Sequence, residues 1–365
     1  MMKKFLILLL LFVFGLLVPF GCTVNNPDSA NTGSNGNGGT ENVLNIYNWS
    51  TYIDEETIPE FEKKFNVKVQ YDTFESNEAL LAKIQPGNPG YDIIVPTGDF
   101  VENMIAQGLL EKLNHDNIPN LKHLDEAFVD PPFDPGNQYS IPYQWGTMGI
   151  GYNIEAVGEE ITSWKEIFDA KYKGKVALIE DSRAMLGVIL MYLGYDPNTI
   201  NEGEIADATE FIIQHKDAIA TFAPDTGQDL LDQGEVDIAV EWSGDIFQIM
   251  EENEDIRYVI PKEGTIIWTD NLTIPKDAPH QELAEKFINF VLEPEVSARI
   301  SNYVKFGSPN KTAREQKLIA QEDLENTSIY PSAEIFKRLK YADDLGKDTA
   351  LYDQAWTEIK VAVGG

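Results

Sequence analysis

Residues 43–100 carry the pattern that decides the fold, and they read VLNIYNWSTYIDEETIPEFEKKFNVKVQYDTFESNEALLAKIQPGNPGYDIIVPTGDF. Apolar, strand-like runs alternate here with stretches whose apolar residues return every three or four positions, which is the spacing of one helix face. Strands are predicted at 43–49, 67–74 and 91–96, and helices at 55–66, 77–85 and from Asp99 onward. This β-α-β-α-β-α order predicts a mostly parallel sheet flanked by helices, because parallel strands need helical crossovers between them.

The same alternation returns in the second half of the chain and predicts a second α/β lobe. Strands are predicted at 176–179 and 236–242, and helices at 208–219, from Ser182 and from Gly244. An extended segment at 265–275 is predicted to return the chain to the first lobe, and an amphipathic helix follows at 281–292. About 320 residues stand beyond the N-terminal region, which is more than one hydrophobic core usually holds. We therefore predict an α/β protein of two lobes with a ligand cleft between them.

The lobe boundaries follow from where the chain crosses between the two halves. We predict one lobe from residues 43–147 and about 269–315, and the other from residues 148–268 and about 316–365.

The first 42 residues are predicted to be an export signal and a tether rather than part of the fold. Residues 1–21 combine Lys3 and Lys4 with a nearly continuous apolar run, as in a secretory signal. Cys22, the only cysteine, follows that run where bacterial lipoproteins carry a lipidated cysteine. Residues 22–42 are rich in Asn, Gly, Ser and Thr, which suits a flexible spacer. Two other interpretations stay open: an incidental thiol at Cys22, or a hydrophobic segment that is an uncleaved anchor.

Charge excludes one class of partner. The formal net charge is −32, and removal of the two lysines of the signal takes it to −34. Such a field repels phosphate, so nucleic acid is not expected as a partner, whereas cations are attracted. Acidic surfaces also serve solubility, so the charge alone does not identify a cationic ligand.

Aromatic and carboxylate side chains recur where the predicted strands end. In open α/β sheets the ligand lies in the crevice at the carboxyl ends of the strands. The side chains at these positions, and on one face of the extended segment, are Trp49, Ser50, Tyr52, Thr97, Asp99, Asp181, Trp242, Asp245, Trp268 and Asp270. Their joint position predicts one binding site.

This combination suits a flexible methylene chain that carries two or three ammonium groups. Aromatic faces cover methylenes and attract cations by about 0.5 to 2 kcal/mol each. Carboxylates spaced along a slot pair with the ammonium groups, each pair being worth roughly 4 kcal/mol at 4 Å and an effective dielectric near 20, before desolvation is deducted.

Each of these residues also has a purely structural interpretation. Asp99, Asp181 and Asp245 each precede a predicted helix and could act only as N-caps, and single tryptophans are common in cores. The four histidines show no metal-ligand spacing, so no metal is predicted. No nucleophile elbow, phosphate loop or Cys/His arrangement occurs, and no cofactor is predicted.

Several motifs in order resemble the spermidine/putrescine-binding proteins of bacterial polyamine ABC importers. They are 47–52 (YNWSTY), 75–78 (ESNE), 91–96 (YDIIVP), 139–146 (YSIPYQWG) and 267–270 (IWTD), and the resemblance runs from about Val43 to the C-terminus. It implies a type II periplasmic-binding-protein fold, a polyamine in the interlobe cleft, ABC permease subunits as partners, an extracytoplasmic location and no enzymatic activity. We expect a monomer that meets the membrane through its lipid anchor alone.

The resemblance also assigns roles to individual residues. Trp49, Tyr52, Trp242, Trp268 and Phe306 resemble the aromatic walls of the family's site, Asp181 and Asp270 its ammonium-binding acids, and Ser50 and Thr97 its hydroxyls. Two departures are Ala184, where spermidine-binding relatives often carry Glu, and the Gly98-Asp99-Phe100 stretch. We hypothesise that Asp245, as in the putrescine-binding branch, supplies the charge missing at Ala184.

Two rival functions stay open at this stage. One is a receptor for another cationic or amino-containing solute, which a ligand panel would separate from a polyamine receptor. The other is a hydrolase that uses a pair of carboxylates, which would turn over a glycoside and hold no intact amine.

Overall fold

The computed structural model describes residues 43–224 and 226–364, so the predicted signal, Cys22 and the predicted tether lie outside the described residues. The strands are Val43–Trp49 (β1), Lys68–Phe74 (β2), Ile93–Ile94 (β3), Ser140–Asn153 (β4), Val176–Ile179 (β5), Ile219–Ala223 (β6), Ile238–Trp242 (β7), Ile256–Val259 (β8), Thr265–Thr273 (β9) and Leu339–Lys340 (β10).

The α-helices cover the sheet and surround its ends. They are Thr57–Phe65 (α1), Asn77–Ile84 (α2), Gly98–Ala106 (α3), Ile154–Val157 (α4), Ser182–Leu193 (α5), Glu202–Gln214 (α6), Gly227–Asp232 (α7), Ser243–Glu252 (α8), Gln281–Val291 (α9), Pro294–Val304 (α10), Lys311–Glu315 (α11), Gln321–Glu325 (α12), Ala333–Phe336 (α13) and Thr349–Gly364 (α14). Among residues 43–224 and 226–364, no helix has both the length and the apolar character that a membrane crossing requires.

The strands join in the order β2-β1-β3-β9-β4-β7-β5-β6. β1 is parallel to β2 and β3, and β5 is parallel to β6 and β7, as the helical crossovers require. β9 is antiparallel to β3 and β4, and β4 is antiparallel to β7. The α/β class predicted from the sequence is confirmed, with a mixed sheet whose parallel parts stand on either side of the β4–β9 pair.

β4 is the long strand that links the two parts. Its residues from Ser140 to Thr147 pair with β9, and those from Met148 to Tyr152 pair with β7. All but the last of its 14 residues are buried. This strand is not predicted from the sequence, because three glycines and a proline within 140–153 weaken the strand pattern.

Two large hydrophobic cores lie on the two sides of this link. One gathers apolar residues from 44–143 and 272–306 with Phe61, Phe287 and Phe290 at its centre, and the other gathers residues from 148–266 and 352–359. Both cores belong to one compact body of the chain. Ile319 packs with Ala298 and Ala313, which favours a lobe boundary later than residue 315. The division into lobes stays a prediction.

The sequence prediction failed most clearly between residues 200 and 223. The helix predicted at 208–219 is Glu202–Gln214, because Asn201 caps it by accepting a hydrogen bond from Gly203 N (2.9 Å), and Glu202 and Glu204 favour its positive end. Residues 219–223, predicted in part as helix, form β6 and pair with β5. The other predicted strands and helices exist with ends shifted by a few residues.

Candidate functional site

All eleven predicted binding residues line a single cavity of about 540 Å³. The members are Trp49, Ser50, Tyr52, Thr97, Asp99, Asp181, Trp242, Asp245, Trp268, Asp270 and Phe306. They come from the ends of β1, β3, β5 and β7, from β9 and from the residue that follows Lys305 after α10. The sequence therefore identified residues that the fold brings together, and their binding roles stay a prediction.

Four of the aromatic rings form a continuous row along one wall. Trp242 and Trp268 meet edge to face with centroids 5.9 Å apart, Trp268 and Phe306 with centroids 5.0 Å apart, and Phe306 and Tyr52 with centroids 5.4 Å apart. Gly146 on β4 makes this row possible, because a Cβ there would lie 2.7 Å from the Trp268 ring. The wall is apolar, and each ring is held by its neighbours rather than left to rotate.

Trp49 and Tyr52 stand at the end of β1, where the chain turns sharply. Thr51 between them has φ of 47°, a left-handed conformation that reverses the chain direction. Trp49 Nε1 donates to Val95 O (2.9 Å), which fixes the indole against the end of β3. Tyr143 O–H donates to Tyr52 O (2.6 Å), which anchors the turn to β4. The first wall of the cavity is therefore held by hydrogen bonds to two other strands.

The three acids that precede helical patterns do not share one role. Asp181 is the N-cap of α5 and accepts from Ala184 N (2.8 Å), so the capping interpretation is correct for it. Asp99 lies inside the first turn of α3 and accepts from Thr97 Oγ1 (2.5 Å), and Asp245 lies inside the first turn of α8. Neither of these two is an N-cap. Their place in the cavity is therefore not explained by capping.

A group of three carboxylates, Glu78, Asp99 and Asp181, occupies one part of the cavity. Burial raises the pKa of Glu78 to about 7, with the charges of Asp181 and Asp99 adding to the shift. Burial and the Asp181 charge raise the pKa of Asp99 to about 6, although Thr97 and Arg183 oppose the shift. Burial also raises the pKa of Asp181. The raised pKa values mean that the ionised form of these acids is disfavoured, so a bound cation among them would stabilise it.

Asp270 and Asp245 form a second acidic part beside Tyr52. Asp270 is 4% exposed on β9, and its neighbour in the adjacent chain segment is Thr97. Burial raises the pKa of Tyr52 well above its usual value, and Asp270 and then Asp245 add to the effect. Gln248 Nε2 lies 3.5 Å from Asp245 Oδ1. The cavity thus contains two groups of carboxylates, and the row of aromatic rings lines the same cavity.

One arginine, Arg183, lines the cavity, but its hydrogen bonds go elsewhere. Its Nη2 donates to Asn198 Oδ1 (2.7 Å) and its Nη1 to Pro197 O (3.3 Å). The guanidinium group also stacks 4.1 Å from the centroid of the Tyr352 ring. Arg183 moderates the negative potential around Asp99 and Asp181 without forming an ion pair within 4.0 Å with either of them.

Several residues of the cavity are not among the predicted site residues. Glu78 belongs to the 75–78 motif, and that motif is the signal in the sequence that points to it. Phe133 covers Gly98, where a Cβ would lie 2.7 Å from the ring. Glu102 on α3 and the segment 341–344 border the same cavity. Residues 127–133 and 341–344 are irregular, so no periodicity marked them.

Comparison with known proteins gives a consistent family. The family of bacterial extracellular solute-binding proteins matches residues 56–326. The spermidine/putrescine-binding periplasmic protein of Escherichia coli K12 is 35% identical over 321 residues, which is 87% of this chain and 92% of that protein. The putrescine-binding periplasmic protein SpuD of Pseudomonas aeruginosa is 36% identical over 338 residues, with 87% and 92% coverage.

A solved structure agrees with the sequence relatives. The TpPotD lipoprotein of Treponema pallidum superposes with a TM-score of 0.78 at 31% identity and covers 87% of this chain and 99% of that one. The predicted periplasmic-binding-protein fold is confirmed by this likeness and by the family match.

Proposed function

Since the chain belongs to the bacterial extracellular solute-binding protein family, we propose that it captures a polyamine outside the cytoplasm and delivers it to an ABC importer. The relatives named for spermidine and putrescine cover most of the chain, and their names place them in the periplasm. The protein is a solute-binding receptor, and its contribution to transport is selection and release of the solute rather than catalysis.

The observation that carries this proposal is the convergence of an aromatic row and two groups of carboxylates in one cavity. A polyamine presents charges separated by apolar methylenes, and the cavity offers the same alternation. Cation–π attraction adds about 0.5 to 2 kcal/mol for each well-placed ring. Each carboxylate–ammonium pair contributes on the order of 4 kcal/mol before desolvation is deducted.

In the bound arrangement, one ammonium group pairs with Asp270 and Asp245 beside Tyr52. The other pairs with Asp181, Asp99 and Glu78, and the methylenes lie against Trp242 and Trp268. The ammonium at the second group restores the charged form of acids whose pKa values are raised by burial. The site thus becomes more favourable electrostatically when it is filled than when it is empty.

Glu78 and Asp99 are better candidates than Asp245 for the charge missing at Ala184. Ala184 N donates to Asp181, and the charge of Asp181 acts on Glu78 and Asp99, whereas Asp245 acts on Tyr52. Glu78 and Asp99 therefore compensate for Ala184, and Asp245 serves the other ammonium group. This modifies the hypothesis drawn from the sequence.

Anchoring and assembly belong to the same proposal. Lipidation of Cys22 and the tether at 22–42 would hold the receptor at the membrane that carries its permease subunits, as a monomer. Mass spectrometry of the protein extracted from membranes tests this, and an unmodified Cys22 would contradict it. Light scattering measures the molar mass in solution and so tests whether the protein is a monomer.

Isothermal titration calorimetry with a ligand panel tests the proposed ligand. We expect micromolar or tighter binding of putrescine or spermidine and no heat from neutral sugars. Binding of lysine or arginine in preference to both polyamines would favour the rival receptor for another cationic solute. Turnover of a chromogenic glycoside would favour the rival hydrolase. Asp270→Asn should abolish most of the heat, whereas Asp232→Asn, away from the cavity on α7, should not.

A further inference from the structure

Lys305 is a buried lysine in an unusual backbone conformation directly before the cavity residue Phe306. It is 7% exposed, and its φ of 60° ends α10 in the left-handed region, where residues other than glycine are uncommon. A lysine at such a position has to be held by specific partners, because burial disfavours its charge.

Two acids from different helices provide those partners. Lys305 Nζ lies 2.5 Å from Glu251 Oε1 on α8 and 3.3 Å from Asp323 Oδ2 on α12. Burial opposes the charge of Lys305, but Glu251 and Asp323 outweigh it and raise its pKa. Burial raises the pKa of Asp323 in spite of Lys305, and the contact with Glu251 is the shorter of the two.

The Glu251 contact links a helix of one large hydrophobic core to a helix of a smaller hydrophobic cluster. Val304 belongs to the core built around β1 and α9, and Ile246 of α8 belongs to a cluster with Ala239 of β7. One turn before Glu251, Gln248 Nε2 donates to Val304 O (3.1 Å). Gln248 and Glu251, on successive turns of α8, thus contact the successive residues Val304 and Lys305 at the end of α10.

Both segments that these contacts join, α8 and the end of α10, lead directly to residues of the cavity. Phe306, the next residue after Lys305, packs against Trp268 and Tyr52, and α8 begins directly after Trp242 and carries Asp245. Gln248, which contacts Val304, also lies 3.5 Å from Asp245. A displacement of α8 from α10 would therefore separate Phe306 from Trp242 and Asp245, which is an opening of the cavity.

We propose that the Glu251–Lys305 ion pair is a clasp that holds α8 against the end of α10, positions Phe306, and sets how fast the cavity opens to release its ligand. The release role rests on the proposed function. Glu251 is 56% exposed at its side chain, so the clasp can open at a modest cost, as a receptor that must release its solute requires.

The test compares Glu251→Gln, Lys305→Met and Lys305→Arg with the wild type. Glu252→Gln, the exposed neighbour on α8, is the matched control. Hydrogen–deuterium exchange of the ligand-free protein should accelerate about two- to fivefold at 243–252 and 304–307 in Glu251→Gln and Lys305→Met, as for a partly exposed ion pair. Lys305→Arg should stay close to the wild type, since a guanidinium group can keep both contacts.

Stopped-flow fluorescence with putrescine and spermidine gives the second readout. Glu251→Gln should raise the dissociation rate by the same factor and leave the association rate unchanged, because the clasp acts after encounter. Equal exchange in Glu251→Gln and the wild type would overturn the clasp, and a dissociation rate of Glu251→Gln equal to that of the wild type would overturn its role in release. If the wild type binds neither polyamine, the proposed function fails, while the exchange measurement still decides whether the clasp exists.

Discussion

Phe306 lies directly over Gly244, so closely that a Cβ on Gly244 would come within 2.6 Å of three ring carbons. Gly244 stands in the first turn of α8, between Trp242 and Asp245, and Phe306 belongs to the aromatic row. Contact of this kind leaves no space for a methyl group, so the ring position depends on the absence of a side chain at residue 244.

Gly244→Ala should therefore weaken polyamine binding by roughly tenfold or more, although alanine favours the helix by about 1 kcal/mol. The added methyl group displaces the Phe306 ring in the binding site, and the higher helix propensity of alanine does not restore the position of that ring. Calorimetry measures the affinity and thermal unfolding the stability. Gly203→Ala in the first turn of α6, away from the cavity, is the control, and equal affinities of Gly244→Ala and the wild type would show that the ring shifts without consequence.

Glu78→Gln should weaken binding by about tenfold or more, since loss of a charge partner at a buried ammonium group typically costs 2 to 5 kcal/mol. Adding Ala184→Glu should restore part of the affinity, because Ala184 adjoins Asp181. The same addition should not rescue Asp245→Asn, which we expect to weaken binding at the other acidic group. Titration calorimetry measures the affinities of Glu78→Gln and Asp245→Asn, each with and without Ala184→Glu. If Ala184→Glu restores binding only in Asp245→Asn, Asp245 is the residue that compensates for Ala184.

Binding should weaken as the pH falls from 8 to 5.5. The pKa values of about 7 for Glu78 and about 6 for Asp99 in the empty cavity mean that both carboxyls take up protons in this range, while the ligand requires them charged. We expect at least about a tenfold loss of putrescine affinity over this range. Glu78→Gln should flatten the dependence, and a wild-type affinity that does not change with pH would contradict the assignment.

The stability of the empty protein should respond in the opposite sense. Because the folded-state pKa values of Glu78 and Asp99 are raised above their ordinary values of 4.5 and 3.8, the folded state holds more protons than the unfolded state between about pH 4.5 and 7. Their contribution to stability is therefore lost as the pH rises through 6 to 7. Replacement of Glu78 by Gln should raise the melting temperature at pH 8 more than at pH 5.5, and scanning calorimetry measures the difference.

Ligand binding should change tryptophan fluorescence, because Trp49, Trp242 and Trp268 border the cavity. Methylenes and ammonium groups would replace water at these indoles and shift their emission. Trp268→Phe should remove a large part of the signal, whereas Trp164→Phe, in a fully buried position of the other core, should retain it. Heat of binding without any fluorescence change would contradict the placement of the ligand along the aromatic row.

Apart from Phe306, which the family resemblance supplied, the amino-acid sequence by itself determined the α/β class, the N-terminal half of the strand and helix order, and ten of the residues that line the cavity. These features are local: an apolar run, a helical period, or a side chain that directly follows a strand. The carboxyl ends of parallel strands converge in any sheet of this class, so residues at those ends could be grouped before their distances were known.

The tertiary structure alone decided what depends on distant contacts. The sequence predicted neither β6 nor β4, because pairing of β6 with β5 and of β4 with β7 and β9 decides these strands rather than local propensity. The raised pKa of Glu78 arises from burial, which no local pattern encodes, and then from the charge of Asp181, about a hundred positions away in the chain. Lys305 and Glu251 are likewise more than fifty positions apart in the chain, and only the packing of α8 on α10 brings those charges together.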